Sequence, residues 1–370
     1  MIKILHPILC YYPSQQGGPA NTLYWLNSTL NEKQYKKTVI STSYGIENFN
    51  SHKKFDVNHN AYYHKSINYN FLKQSFFEIC KNDIIQFSSI FFPPTIFLIL
   101  FSIFKEKTII ISPRGELFRP ALSQKYYKKK IMLFFLKFFQ KKINFHATNK
   151  FELSLINETF NKSKSCVLIP NLIKLPEQYN SKINDTFLFI GRINPIKNIH
   201  LLILAFYKIH KIHRNYELNI VGSAKSRNEM DYFLNLKKQV SDLGLEENII
   251  FKGHLIGEKK NKLIANSKFL ILPSKSENFG NVVLESLIQG TPVIATKNTP
   301  WQILEKFNAG FWINANVDDL FNTMLLVVGM NNDKYYQMRK NAISLCKNNF
   351  DIDLKISLWN DYYNELCESK

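Results

Sequence analysis

Residues 270–296, LILPSKSENFGNVVLESLIQGTPVIAT, decide how this chain folds. An apolar run ends at Ser274, a turn carries Glu277, Asn278, Phe279 and Gly280, and about residues 281–289 have helical spacing. Gly290 stops the helix, Pro292 stands just beyond it, and a second apolar run covers residues 293–295. The segment therefore reads as strand, helix, strand. Its first turn directs unpaired backbone N–H groups and the positive end of the helix dipole beyond the strand, where a phosphate is favoured. Glu277 and Glu285 bracket the turn with seven residues between them. Glu277 sits in the loop and reaches a ligand's far end, Glu285 reaches hydroxyls nearer the helix, and both accept sugar hydroxyl protons. On this stretch alone an equal reading makes Glu277 a solvated turn residue and Glu285 a helix acid complementing the dipole.

A second strand-to-loop junction weighs against that plainer reading. Residues 186–190, TFLFI, lead into Gly191, Arg192, Ile193, Asn194, Pro195, Ile196 and Lys197 before a helix that starts near Asn198. Arg192 and Lys197 both reach toward one multiply charged anion, the first as a planar fork and the second as a point charge. Beside a helix N-terminus and two carboxylates, the pair suits a pyrophosphate held without a metal.

With these residues in view the chain resembles the retaining glycosyltransferases of family 4, which have the two-domain GT-B architecture. The resemblance rests on the E-x7-E pattern at Glu277 and Glu285, GRINPIKN at 191–198, GTPVIAT at 290–296, VGSAK at 221–225, FKGHL at 251–255, and Gly17 with Gly18 after the first strand. It implies that Arg192 and Lys197 neutralise the donor diphosphate, Glu285 binds the ribose, and Glu277 approaches the donor sugar. It further implies that the backbone from Asn278 to Asn281 contacts sugar and phosphate, and that the segment holding His254 and Leu255 lines the base pocket. Gly191 and Gly222 belong to matched donor-side loops, and Gly17 and Gly18 let backbone approach the phosphates closely. Where many members carry His-Gly in the first domain, this chain has Arg114 before Gly115. An arginine neither offers a neutral partner nor gives up its proton near neutral pH, so an anionic group on donor or acceptor is expected there.

The resemblance also implies a mechanism without cofactor or metal. Negative charge developing on the leaving diphosphate is stabilised by Arg192, Lys197 and the helix at Asn281, while Glu277 faces the oxocarbenium-like sugar. Retention follows from front-face attack by the acceptor hydroxyl. The implied partners are a nucleotide-sugar donor and a glycan acceptor, carried on lipid in the manner of O-antigen or capsule synthesis.

At 370 residues with 45% apolar side chains the chain is long enough for two cores. Expected strands at residues 2–5, 38–41, 84–87, 108–111, 145–148 and 167–169 precede a polar stretch at 173–185. Others follow at 186, 218, 249, 270 and 293, and longer segments between them imply parallel sheets covered by helices. The expected division is residues 1–176 with 351–370 as an acceptor-binding Rossmann-like domain, and 177–350 as a donor-binding one. A final helix near 353–368 is expected to cross back to the first domain. Five scattered cysteines form neither a metal pattern nor a disulfide framework, which suits a reducing cytoplasm. The opening residues read as a first strand rather than a signal peptide.

Charge is lopsided: residues 1–176 hold 24 Lys and Arg against 9 Asp and Glu, whereas residues 177–370 hold 24 against 20. The excess centres on residues 125–142, KYYKKKIMLFFLKFFQKK, with seven lysines and no acid. Ile131, Phe134, Phe135 and Phe138 fall on one helical stripe. Such a helix packs on a sheet with a solvated lysine face, or lies at an anionic membrane. The expectation combines the two: a helix of the fold whose Lys125, Lys128, Lys129, Lys130, Lys137 and Lys141, with part of the aromatic set, contact the inner face of the cytoplasmic membrane. The apolar run at 95–104 is too short to span a bilayer and reads as a buried helix. Asp351 and Asp353 read as helix caps, His210 and His213 as surface residues, and His146 as a minor contributor on the acceptor side. Two rivals stand beside the enzyme reading: an inactive scaffold, to which Arg114 points, and a basic nucleic-acid binder, which the E-x7-E turn and the absence of a recognition motif disfavour, so no nucleic acid is expected as a partner.

Overall fold

The computed structural model describes residues 1–14, 18–46, 58–123, 125–179 and 182–368. The chain divides into two compact units, one of Met1–Lys174 with Asp351–Lys370 and the other of Leu175–Phe350.

The first unit is a parallel sheet of β1 (Ile2–Cys10), β2 (Tyr35–Thr42), β3 (Asn60–His64), β4 (Ile84–Phe87), β5 (Thr108–Ile111), β6 (Ile143–Ala147) and β7 (Ser165–Leu168). Their order is β3-β2-β1-β4-β5-β6-β7, so the chain reverses its direction of growth between β1 and β4. Side-chain alternation assigns the two faces. Leu5, Ile85, Ile109 and Phe145 join Leu98, Leu136 and Ile156 from helices Thr95–Phe104, Tyr126–Phe139 and Lys150–Thr159. Ile4, Ile84 and Ile110 join Leu23 of helix Gly18–Thr29 and Trp359, Tyr362, Tyr363 and Leu366 of helix Ser357–Glu368. The C-terminal helix thus completes a core begun more than 300 residues earlier, and the Tyr363 hydroxyl donates to Gln86 Oε1 at 2.7 Å.

The second unit is a six-stranded parallel sheet of β8 (Asn184–Ile190), β9 (Glu217–Val221), β10 (Ile249–Gly253), β11 (Ser267–Leu272), β12 (Val293–Thr296) and β13 (Gly310–Ile313). The order β10-β9-β8-β11-β12-β13 places the reversal between β8 and β11. Strand β11 ends at Leu272 rather than Ser274, because Pro273 has no N–H to give the ladder. The edge strands β3 and β13 were not expected from sequence: NAYYH of β3 has no continuous apolar run, and the run in β13 is only Phe311, Trp312 and Ile313.

Two helices leave large apolar side chains exposed, the first of them against expectation. Thr95–Phe104 buries Leu98 and Ile99 but leaves Phe97 and Phe104 exposed, since only one side of it meets the sheet. Tyr126–Phe139 buries Leu136 alone, and its stripe does not pack on the sheet: Ile131 is 58%, Phe134 70% and Phe138 78% exposed. Lys125, Lys128, Lys130, Lys137 and Lys141 are exposed as well. Lys129 is drawn inward, where its Nζ donates to the Ala121 carbonyl at 2.5 Å and lies over the Phe91 ring.

Candidate functional site

Ligands of open parallel sheets bind beyond the carboxyl ends of the strands at the point of reversal. In the second unit that point is the β8/β11 junction, and the two loops singled out from sequence leave from these two strands. The Lys275 N–H donates to the Ile196 carbonyl at 2.7 Å and ties the loops together. Across this tie Lys197 Nζ forms an ion pair with Glu277 Oε2, both side chains being largely buried. Ser274 Oγ lies 3.4 Å from the same carboxylate oxygen.

The turn before the helix is held by its surroundings. Gly280 takes φ +79°, a left-handed conformation that costs an L side chain, and a Cβ there would approach Glu277 Cγ and Leu272 Cδ2 to 3.2 Å. Phe279 is buried against Trp301, whose indole N–H donates to the Phe279 carbonyl. Phe279 therefore anchors the turn through both its ring and its carbonyl. Helix Asn281–Ile288 follows, with Asn278 and Asn281 half-buried at its start. One turn in, Glu285 pairs with Lys260 Nζ at 2.9 Å, a residue of helix Gly257–Asn266.

Glycines form the floor beside these pairs. The Gly191 N–H donates to the Val221 carbonyl at 3.0 Å and the Gly222 N–H to the Gly253 carbonyl at 2.8 Å, extending the ladder past β8, β9 and β10. A Cβ on Gly222 would stand 1.9 Å from the Gly191 carbonyl oxygen, so only glycine fits. His254 is exposed and Leu255 half-buried beyond β10.

Arg192 takes a separate partner. Its side chain is 73% exposed and lies 3.8 Å from Glu229. Burial disfavours the Glu229 charge, but Asn194, the backbone N–H groups of Ser226 and Lys225, and Arg192 outweigh it and hold the carboxyl at about 2. Glu229 also closes a capping box with Ser226 at the start of helix Arg227–Asp242. Sequence reading missed Lys260, Trp301 and Glu229. The S-x-x-E spacing at 226–229 was a usable signal for the last, whereas Lys260 and Trp301 announce themselves only through tertiary contact.

In the first unit Gly18 opens helix Gly18–Thr29, and Gly17 lies outside the described residues. Arg114 and Gly115 take φ +51° and +84°, a turn held where the Gly115 N–H donates to Glu152 at 2.6 Å. Arg114 Nη1 donates to Asn171 Oδ1 at 2.8 Å, and its Nε has no hydrogen-bond partner among the described residues. Burial pushes the guanidinium down to about 10, with Glu152 acting in the opposite direction.

His146 is a correction. It is buried rather than open to an acceptor, tilted against the Trp359 ring, with Nε2–H donating to the Ile169 carbonyl and Nδ1 accepting from Ser112, both at 2.8 Å. Burial, and then Arg114, push its pKa down to about 3. Being at the end of β6 placed it next to the C-terminal helix, a contact no local pattern reveals. Asp351 accepts from the Asp353 N–H at 3.1 Å as a helix cap, and Asp353 pairs with Lys174 at 2.6 Å.

Residues 174–345 match the family model described as glycosyl transferases group 1. An uncharacterized glycosyltransferase of Methanocaldococcus jannaschii is 35% identical over 127 residues, 34% of this chain and 31% of that protein. The alpha-monoglucosyldiacylglycerol synthase of Streptococcus pneumoniae is 33% identical over 113 residues, 30% of this chain and 24% of the synthase. The chain thus spans a third or less of the length of these relatives. Among solved structures, Anabaena HepE in complex with UDP and glucose superimposes with a TM-score of 0.78 at 17% identity, covering 100% of both chains. The second unit is therefore a domain of the glycosyl transferases group 1 family, and the chain that carries it has the GT-B fold of two Rossmann-like sheets.

Proposed function

We propose that this chain is a retaining, metal-independent glycosyltransferase that moves a sugar from a nucleoside diphosphate sugar to a glycan acceptor carried on membrane lipid, of the O-antigen or capsule type, at the cytoplasmic face. One observation carries the reading: Lys197 and Glu277, from different loops, meet at the β8/β11 reversal beside a helix N-terminus and a Cβ-free glycine floor.

Before donor arrives, Glu277 holds the Lys197 ammonium in place. A bound diphosphate draws Lys197 toward its oxygens, joined by the flexible Arg192 and the N–H groups of Asn281 and its neighbours. Glu277 is then free to face the sugar. The bond from the anomeric carbon to the diphosphate oxygen breaks, and its electron pair stays with the diphosphate. The acceptor hydroxyl attacks the same face and its proton passes to a departing phosphate oxygen. Positive groups preorganised where charge develops are worth most in such a step. Glu285, positioned by Lys260, accepts from ribose hydroxyls. HepE is solved with UDP and glucose, and the streptococcal relative is named for a glycolipid, which supports a uridine nucleotide and a lipid acceptor here. The exposed aromatic stripe and lysines of helix Tyr126–Phe139 suit an anionic membrane surface, and no described helix is long and apolar enough to cross one. Five free thiols fit a reducing compartment.

The test is UDP-glucose hydrolysis and glucosyl transfer to bacterial glycolipid extracts, with EDTA present. Lys197→Ala is expected to lower kcat by on the order of 10²-fold to 10³-fold. Glu285→Gln is expected to raise donor KM with a smaller change in kcat. Panels of nucleotide sugars that neither raise Tm nor are turned over would overturn the reading.

A further inference from the structure

Three adjacent strands of the first unit begin directly after a lysine: Lys107 precedes β5, Lys142 precedes β6 and Lys164 precedes β7. The strands are parallel, with Ile109 opposite Ile143 and Asn144 opposite Ser165, so these lysines arrive at one edge of the sheet. Lys141 joins them, and together they line a cavity of about 320 Å³ whose one acid is Glu106. Lys107 is fixed by donating to the Cys80 carbonyl at 3.1 Å, and Lys141, Lys142 and Lys164 are exposed.

A plainer account is that these lysines complement the negative C-terminal ends of helices Thr95–Phe104 and Tyr126–Phe139. Magnitudes decide against its being the whole account. Each helix end supplies roughly half a negative charge, so these two ends, the end of helix Tyr69–Lys81 that Lys107 meets at Cys80, and Glu106 offset about two and a half of the four ammonium charges. About one and a half positive charges remain in one concavity, which suits a phosphate. The cavity also adjoins the helices that leave Phe97, Phe104, Phe134 and Phe138 exposed: Ile103 of the first lines it, and Lys141 and Lys142 follow the second after Gln140. Aromatic faces beside a basic cavity match the acyl boundary and head group of one lipid surface.

We propose that this cavity binds the phosphate head group of an anionic membrane lipid, a site separate from the donor and acceptor sites. The inference rests on the membrane reading given above and names the chemistry that the membrane must present. A merely basic surface responds to charge density, whereas a phosphate site distinguishes phosphate from carboxylate.

The experiment is flotation of the full chain with phosphatidylcholine vesicles containing either phosphatidic acid or oleate, matched in surface potential. The wild type is expected to favour phosphatidic acid. Replacing Lys141, Lys142 and Lys164 by Gln is expected to reduce binding to phosphatidic acid vesicles roughly tenfold or more and to abolish the preference. Replacing Lys238, Lys334 and Lys340 of the second unit by Gln removes the same charge and is expected to preserve both. A cavity variant that retains the preference, or a control variant that loses it equally, overturns the inference while leaving membrane binding intact. Wild-type chain that floats with neither vesicle overturns the membrane reading itself, and equally tight binding of inorganic phosphate overturns the lipid assignment.

Discussion

Gly222 shows how little room there is where β8 and β9 end. A methyl group 1.9 Å from the Gly191 carbonyl oxygen forces β8 and β9 apart where they carry the loops. Gly222→Ala is expected to cost roughly 2–4 kcal/mol of stability and to remove the Tm shift given by UDP, both read by scanning fluorimetry. Among the site residues, Lys197, Glu277 and Glu285 were legible because strand, loop and helix-start signals lie within a few positions of each. Their partnerships were not. The Lys197–Glu277 and Lys260–Glu285 pairs join residues far apart in sequence, and Arg192 faces Glu229 although its spacing from Lys197 suggested a shared anion.

At the scale of elements, helix Tyr126–Phe139 departs most from what periodicity suggests. Its aromatic stripe is indistinguishable in sequence from the buried stripe of any helix on a sheet, yet the sheet-facing contact is made by Leu136 with Leu133 and Phe139. Replacing Phe134 and Phe138 by Ser removes apolar area from the outer face alone. We expect Tm to stay within about 1 °C, in keeping with the small effect of surface substitutions, while vesicle binding falls by about an order of magnitude, since each aromatic contributes an appreciable share of buried area at an interface. A matching drop in Tm would mean that these rings belong to the core. The strands, by contrast, were largely legible: continuous apolar runs bounded by polar turns mark central parallel strands, whereas edge strand β3 lacks such a run and that of β13 is only three residues long.

Across the whole molecule, acid is expected to act strongly on the first unit. His6 and His146 sit on the sheet face covered by the C-terminal helix, and burial foremost holds both near pKa 3. Unfolded, each binds a proton below its ordinary value of about 6.5, so their contribution to stability is full above that pH and is lost as pH falls toward 3. The first unit is expected to lose Tm over this window, and His146→Gln is expected to shallow the decline. Fluorescence of the buried Trp359 reports on the first unit and that of Trp301 on the second. A decline as steep in the variant would assign the acid sensitivity elsewhere. The dipeptide Arg114–Gly115 and the alternating signature of two parallel sheets could be read from sequence, but the closure of the first core by Trp359, Tyr362, Tyr363 and Leu366 could not, because it depends on where the chain returns in space.

That return imposes an order on biogenesis. Residues 175–350 form an uninterrupted unit and leave the ribosome as a complete set, whereas the earlier-made unit still lacks the helix at 357–368 that covers one side of its sheet. The nascent protein must carry an open, partly aromatic sheet face through the synthesis of everything in between. The later half is thus positioned to mature first, and the earlier half is the natural client of a chaperone.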